Sequence, residues 1–352
     1  MNSSKKRCIC ILMIICILLL TAGGATAVID PFFHYHGPLP FLQYPINNQR
    51  YQNYGIVKHF SYDAILTGTS MTENFKASEF DELFGVHSVK TPINGSSFKE
   101  INDLLLTAVE VNPDLRLVIR GLDGWNLFDH KDHMRTDATY PTYLYDDDIF
   151  NDVSYLLNKE ILCSYTLEVL KHTIKGNATT GFDEYSWWDT SRTGMEQVKS
   201  NYSRSEEKSA NKPITPEEIQ NIRDTLEQNV IAIARDNPDI QFYYFFTPYS
   251  ILYMDYIDRY GTLQREMEGY LLATEMLLEY ENIHLFTFFD DYALITDLDN
   301  YTDIAHYAAH VNAQLLQCMH SGEYQLTREN YRSRWQEIAD YYLTYDYDAL
   351  YS

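Results

Sequence analysis

Hydrophobic and polar positions along this chain fall into three regimes. From Cys8 to Ile29 no charged residue interrupts a run centred on the apolar stretch Ile9–Leu20. That is close to the roughly 20 residues needed to cross a bilayer core. From Asp30 to about residue 61, Pro, His and aromatic residues crowd together, as in Pro31-Phe32-Phe33-His34-Tyr35-His36. No regular period runs through this part, and it reads as an irregular arm. From Tyr62 onward, short apolar runs alternate with longer amphipathic ones.

The apolar runs Tyr62–Thr67, Val86–Thr91, Leu115–Arg120, Ile240–Phe246 and Ile283–Phe289 have the length and bounding residues of buried strands. Helical patterns lie between and after them. Ala77–Phe84 is one, and a second opens at the capping box Ser97-x-x-Glu100. Others are Pro216–Arg235 with Ile219, Ile222, Leu226 and Ile233 at helical spacing, Leu263–Tyr280, His310–Met319 and Arg328–Tyr342. Five parallel strands separated by helices predict an α/β fold built on a doubly wound sheet with right-handed crossovers. The rhythm breaks between about 125 and 215, which marks a large insertion after the third strand. It is partly helical near Ile161–Leu170, and Ser200–Lys212 reads as a mobile polar section. It is either a substrate wall or an embellishment. The expected organisation is a membrane segment over 1–29, an extracytoplasmic arm over 30–61 and an α/β domain over 62–352.

Charge narrows the partners. The chain has 352 residues, 45% of them hydrophobic, and a formal net charge of −23. Its only charges before Asp30 are Lys5, Lys6 and Arg7, so the body is more acidic still. With no basic stripe to offset it, such a surface repels phosphate backbones, which excludes nucleic acid as a partner. The basic flank ahead of the apolar run predicts a cytoplasmic N-terminus and an exported body, held by a single-pass helix in the cell membrane. Ala25-Thr26-Ala27 also has the form of a signal-peptide cleavage site, so a secreted body is the alternative. Three of the five cysteines, Cys8, Cys10 and Cys16, lie in the leader. Cys163 and Cys318 remain as one candidate disulfide, with no metal-ligand spacing.

The chemistry-bearing residues cluster after strand ends, where a doubly wound sheet places its ligand site. Ser70 follows the first strand in Gly68-Thr69-Ser70. A glycine there lets the chain turn sharply and lift a hydroxyl above the sheet edge, although Ser70-x-x-Glu73 also has the form of a helix cap. Near the end, Asp303-Ile304-Ala305-His306 offers a base with a carboxylate to orient it. His310 is an alternative base. Adjacent Asp290 and Asp291 read as solvated strand-end residues rather than magnesium ligands. A Ser–His–Asp set requires no metal or organic cofactor.

Gly68-Thr69-Ser70 after strand one, Asn94-Gly95 after strand two and Asp303-x-x-His306 near the end resemble, in order and spacing, the SGNH (GDSL-like) hydrolases. The likeness covers roughly Tyr62 to Met319. With its leader and the run Tyr62–Phe75, the layout resembles DltD-like exported proteins, which are associated with membrane-bound O-acyltransferases. The resemblance implies a flavodoxin-like five-stranded SGNH fold, with Ser70 as nucleophile and Asp303 and His306 completing a triad. It also implies an oxyanion hole from the N–H groups of Ser70 and Gly95. By the same resemblance the function is that of an exported esterase or O-acyltransferase acting on acyl esters of envelope glycans or teichoic acids. A non-catalytic glycan-binding partner of a membrane acyltransferase is the alternative. The family's third motif usually supplies an Asn to the oxyanion hole; here the stretch reads Gly121-Leu122-Asp123-Gly124. Either a protonated Asp123 or Asn126 takes that place, or Asp123 is structural. Asn94, Trp125 and Asn126 are the candidate substrate-binding residues.

Overall fold

The structure, a computed structural model, describes residues 3–135, 140–146 and 148–351. Its centre is a sheet of β1 (Ala64–Thr67), β2 (Ser88–Lys90), β3 (Leu117–Leu122), β4 (Gln241–Phe246), β5 (Ile283–Thr287) and β6 (Gln325–Leu326), in the order β2-β1-β3-β4-β5-β6. Neighbours from β2 to β5 pair in parallel, and β6 runs antiparallel to β5. The sheet thus has six strands, not the expected five. With only two residues, β6 is too short to show an alternating pattern, so nothing in its sequence separates it from a turn. β1, β2 and β3 are buried along their whole length, which is why they read as continuous apolar runs.

The order reverses between β1 and β3: β2 lies to one side of β1, and β3 to β6 extend on the other. Chain leaving the carboxyl ends of β1 and β3 diverges there and opens a crevice. Ser70 and Asp123 both lie just past those ends.

The chain divides into two compact units. One comprises Ser61–Thr136 and Phe182–Ser352 and contains the sheet. Within it the helix Phe98–Val111 begins with the expected capping box, Ser97 and Glu100 each bonding the other's backbone. The polar segment Ser200–Lys212 is tethered rather than free. Arg204 pairs with Asp255, Lys208 with Asp258, and the N–H groups of Ser209 and Lys212 donate to Arg259 and Gly261 carbonyls.

The other unit joins Met1–Phe60 to Asp137–Gly181. Its core is aromatic: Phe32, Leu144, Tyr155 and Ile161 are buried, with Tyr51, Tyr143 and Tyr165 packed against them. Part of the stretch expected to be irregular is the helix Gln49–His59, capped by Asn48. Its weak amphipathic pattern explains why it escapes a periodicity search. The unit also contains the helix Ser3–Ile29, whose segment Ser4–Ile29 has a mean hydropathy of 2.7 and is long and apolar enough to cross a membrane. Among the described residues all five cysteines are free, Cys163 exposed and Cys318 buried.

Candidate active site

β1 delivers Ser70 through a turn that only glycine can make. Gly68 has φ +152°, and a Cβ there would sit 2.6 Å from Thr72 Cγ2 and 3.3 Å from the Gly121 nitrogen. The chain then enters a single 3₁₀ turn, Ser70–Thr72, whose cap is Thr69: its hydroxyl accepts from the Met71 N–H at 3.3 Å. Ser70 is therefore not the cap, and its side chain is free for another partner. Lys90 on β2 braces the next stretch. Its buried ammonium donates to the carbonyls of Glu73 (2.6 Å) and Phe75 (2.9 Å), and burial pushes its pKa down to about 8.

The partner of Ser70 comes from the far end of the chain. Its Oγ lies 2.8 Å from His306 Nε2, and His306 Nδ1 lies 2.8 Å from Asp303 Oδ2. The ionised carboxylate can only accept, so Nδ1 carries the proton and, in the neutral ring, Nε2 accepts from the serine hydroxyl. Asp303 Oδ1 accepts from the N–H groups of Ala305 (2.8 Å) and His306 (2.7 Å), which fixes the carboxylate against its own loop. That loop is held from several sides. The Thr302 N–H donates to the His306 carbonyl, Ser250 Oγ to the Ile304 carbonyl, and Tyr307 OH to the Met71 carbonyl in the Ser70 turn.

Both titrations favour the ion pair. Burial pushes Asp303 up, but the His306 ring bond, the His306 charge and the two backbone N–H groups together hold it below its ordinary value. Burial pulls His306 down, yet the bond and charge of Asp303, with the fields of Asp123 and Glu73, raise it above 6.5.

Asp123, past β3, is fully buried and contributes in another way. Its Oδ2 accepts from Thr69 Oγ1 at 2.7 Å; its Oδ1 accepts from Tyr249 OH at 2.7 Å and Thr247 Oγ1 at 3.1 Å. Three hydroxyls thus converge on this carboxylate. Burial raises its pKa, while the three hydroxyl bonds and the His306 charge pull it back. Through Thr69 it holds the residue immediately before Ser70.

Around the serine lies an open pocket of about 420 Å³ lined by Ser70, Glu73, Asn94, Ser186, Trp187, Trp188, Asp303 and His306. Gly95 makes the turn beside Asn94 with φ +59°. Among the described residues, the backbone N–H groups of Ser70 and Gly95 donate to no acceptor. Arg135 Nη1 donates to the Asn94 carbonyl at 3.3 Å. Trp188 meets His306 edge-on at 5.6 Å, its backbone N–H fixed by Asn74 Oδ1 at 3.0 Å.

Of the residues singled out in the sequence, Ser70, Asn94, Asp303 and His306 line the pocket, and Asn126 and Trp125 do not. Asn126 is buried and donates from Nδ2 to the Ser96 carbonyl at 3.0 Å; Trp125 stacks on Tyr249. His310 bonds Asn300 Oδ1. Asp290 pairs with Arg334, and Asp291 caps the helix Tyr292–Thr296. Trp187 and Trp188 both line the pocket, and Ser186 just before them has φ +60°. Arg135 carried no signal in the sequence, and Glu73 figured there only as the last residue of a possible helix cap; each gains meaning from where its loop lands.

No family model matches this chain, and no curated protein matches it. A solved structure from Streptococcus pneumonia, provisionally described as a platelet activating factor, is similar at 13% identity, covering 78% of this chain and 91% of that one with a TM-score of 0.41. Similarity of that size fixes neither site nor activity.

Proposed function

We propose that this protein is a serine-dependent acyl-ester hydrolase or O-acyltransferase, with Ser70 as nucleophile, His306 as general base and Asp303 as the carboxylate orienting it. The observation that carries the reading is the unbroken line from Ser70 Oγ through both His306 ring nitrogens to Asp303, each link 2.8 Å long. As the Ser70 proton moves to Nε2, Oγ bonds to the ester carbonyl carbon. The free N–H groups of Ser70 and Gly95 receive the developing oxyanion. His306 then returns the proton to the departing alkoxide oxygen, leaving an acyl-serine. Water or a sugar hydroxyl, deprotonated by the same ring, attacks the acyl carbon and frees Ser70.

Asp123 is a positioning residue on this reading. Its oxygens are occupied by Thr69, Thr247 and Tyr249, so it steadies the Ser70 turn rather than donating to an oxyanion. The resemblance to exported SGNH-type proteins supplies the substrate class: acyl esters carried by envelope glycans or teichoic acids, beside a membrane-bound O-acyltransferase. An open pocket with two tryptophans on its wall suits a sugar-bearing ester.

Hydrolysis of p-nitrophenyl acetate tests the assignment. Ser70→Ala and His306→Ala should each lower kcat/KM by at least about 10³-fold. A chain that turns over the ester equally well with either change is not a Ser70 enzyme; if envelope acylation also continues, the protein is a non-catalytic partner.

A further inference from the structure

The apolar helix Ser3–Ile29 does not end at the edge of its folded unit; its last turns are built into it. Gly23 and Thr26 are buried, the Asp30 N–H donates to the Thr26 carbonyl at 2.7 Å, and Tyr44 OH donates to the Ile29 carbonyl at 2.8 Å. A Cβ on Gly23 would lie 3.3 Å from Leu157 Cδ2 and 3.7 Å from Leu156 Cβ, so the short helix Val153–Leu156 rests directly against it.

Depth follows from helix geometry. A hydrocarbon core takes up about 20 helical residues, so one entered just after Arg7 is left near Ala27. At about 1.5 Å per residue, Gly23 then lies roughly 6 Å inside the outer boundary. The residues beside it are unusually apolar for an exposed surface. Leu157 and Val153 are 41% and 55% exposed, and Ile149 and Phe150, in the preceding turn, 73% and 87%. The flanking charges are Asp146 and Asp148 before the edge and Lys159 and Glu160 after it, net acidic, so attraction to anionic lipid does not account for this edge.

We propose that the leader is retained as an anchor and that the edge formed by Ile149, Phe150, Val153 and Leu157 is seated in the outer headgroup–acyl boundary of the same bilayer. Cleavage after Ala27 removes the Gly23 and Thr26 surface on which this unit packs. The anchored helix and the apolar edge give two points of attachment, so the unit is fixed on the membrane rather than swinging from a tether. None of this depends on the ester chemistry, and the test uses no substrate.

The experiment uses the full chain with its five cysteines replaced, carrying a single nitroxide at Phe150→Cys, Val153→Cys or, as a control in the same unit, the exposed Lys175→Cys, in phosphatidylcholine vesicles. Labels at 150 and 153 should show an oxygen-to-nickel-chelate accessibility ratio several-fold above that at 175, unchanged when phosphatidylglycerol is added. Labels at 150 and 153 as open to the nickel chelate as the one at 175 overturn the proposal. So does a purified chain whose mass lacks the leader, and so does a ratio that rises only with anionic lipid.

Discussion

A hydroxyl, an imidazole and a carboxylate in line make a base only while the ring is neutral. The structure raises the His306 pKa above its ordinary 6.5. Because the proposed activity requires the unprotonated ring, kcat/KM should fall as pH drops through a value above 6.5, and a pH–rate profile reads that midpoint directly. In Asp303→Asn the carboxylate's bond and charge are gone, so the midpoint moves down while kcat drops about 10⁴-fold. At Asp123 the effect is on packing first. Asp123→Ala strands the hydroxyls of Thr69, Thr247 and Tyr249, and thermal or urea unfolding should register a loss on the order of 3 kcal/mol, accompanied by lower activity. Gly68→Ala meets both a forbidden φ and the Thr72 side chain, so it should abolish soluble expression or, where protein folds, ester turnover. That Ser70, Asp303 and His306 come together was legible in the sequence because each sits in a short motif after a strand end. For Asp123 a structural role was one of the alternatives the sequence left open, but its three hydroxyl partners were not legible, since they come from residues 69, 247 and 249 and only the fold assembles them.

Elements carry their own titrations. On the helix Leu263–Leu277, Glu266 is nearly buried, and its weak bonds from Tyr253 and Thr262 leave burial as the dominant effect, which raises its pKa to about 7. A carboxyl raised on folding binds its proton more tightly in the native state. The stability it contributes is whole below about 4.5 and is lost as pH rises through about 7. Glu266→Gln should therefore raise the melting temperature more at pH 8 than at pH 5, as calorimetry at the two pH values would show. Elements with strong periodicity or a cap, such as Phe98–Val111, could be read in advance. The helix Gln49–His59 and strand β6 could not. The first has polar residues on most of its faces, and the second exists only because β5 offers it an edge.

At the scale of the whole molecule, alternating apolar runs were enough to find an α/β protein, because buried parallel strands leave a plain mark in composition. The assembly of residues 137–181 with the first 60 was not legible, since contacts such as Tyr155 to Asp30 and His34 to Asp152 join segments more than a hundred residues apart. The pairing of Ser70 with His306 spans a still longer separation, 236 residues, and the proposed function depends on it. Its most direct test is to react the folded full-length chain with a fluorophosphonate, digest it and locate the adduct by mass spectrometry. The account predicts one adduct, on Ser70, that weakens sharply in His306→Ala and disappears in the unfolded chain. An adduct on another residue, or labelling that Ser70→Ala leaves intact, contradicts it.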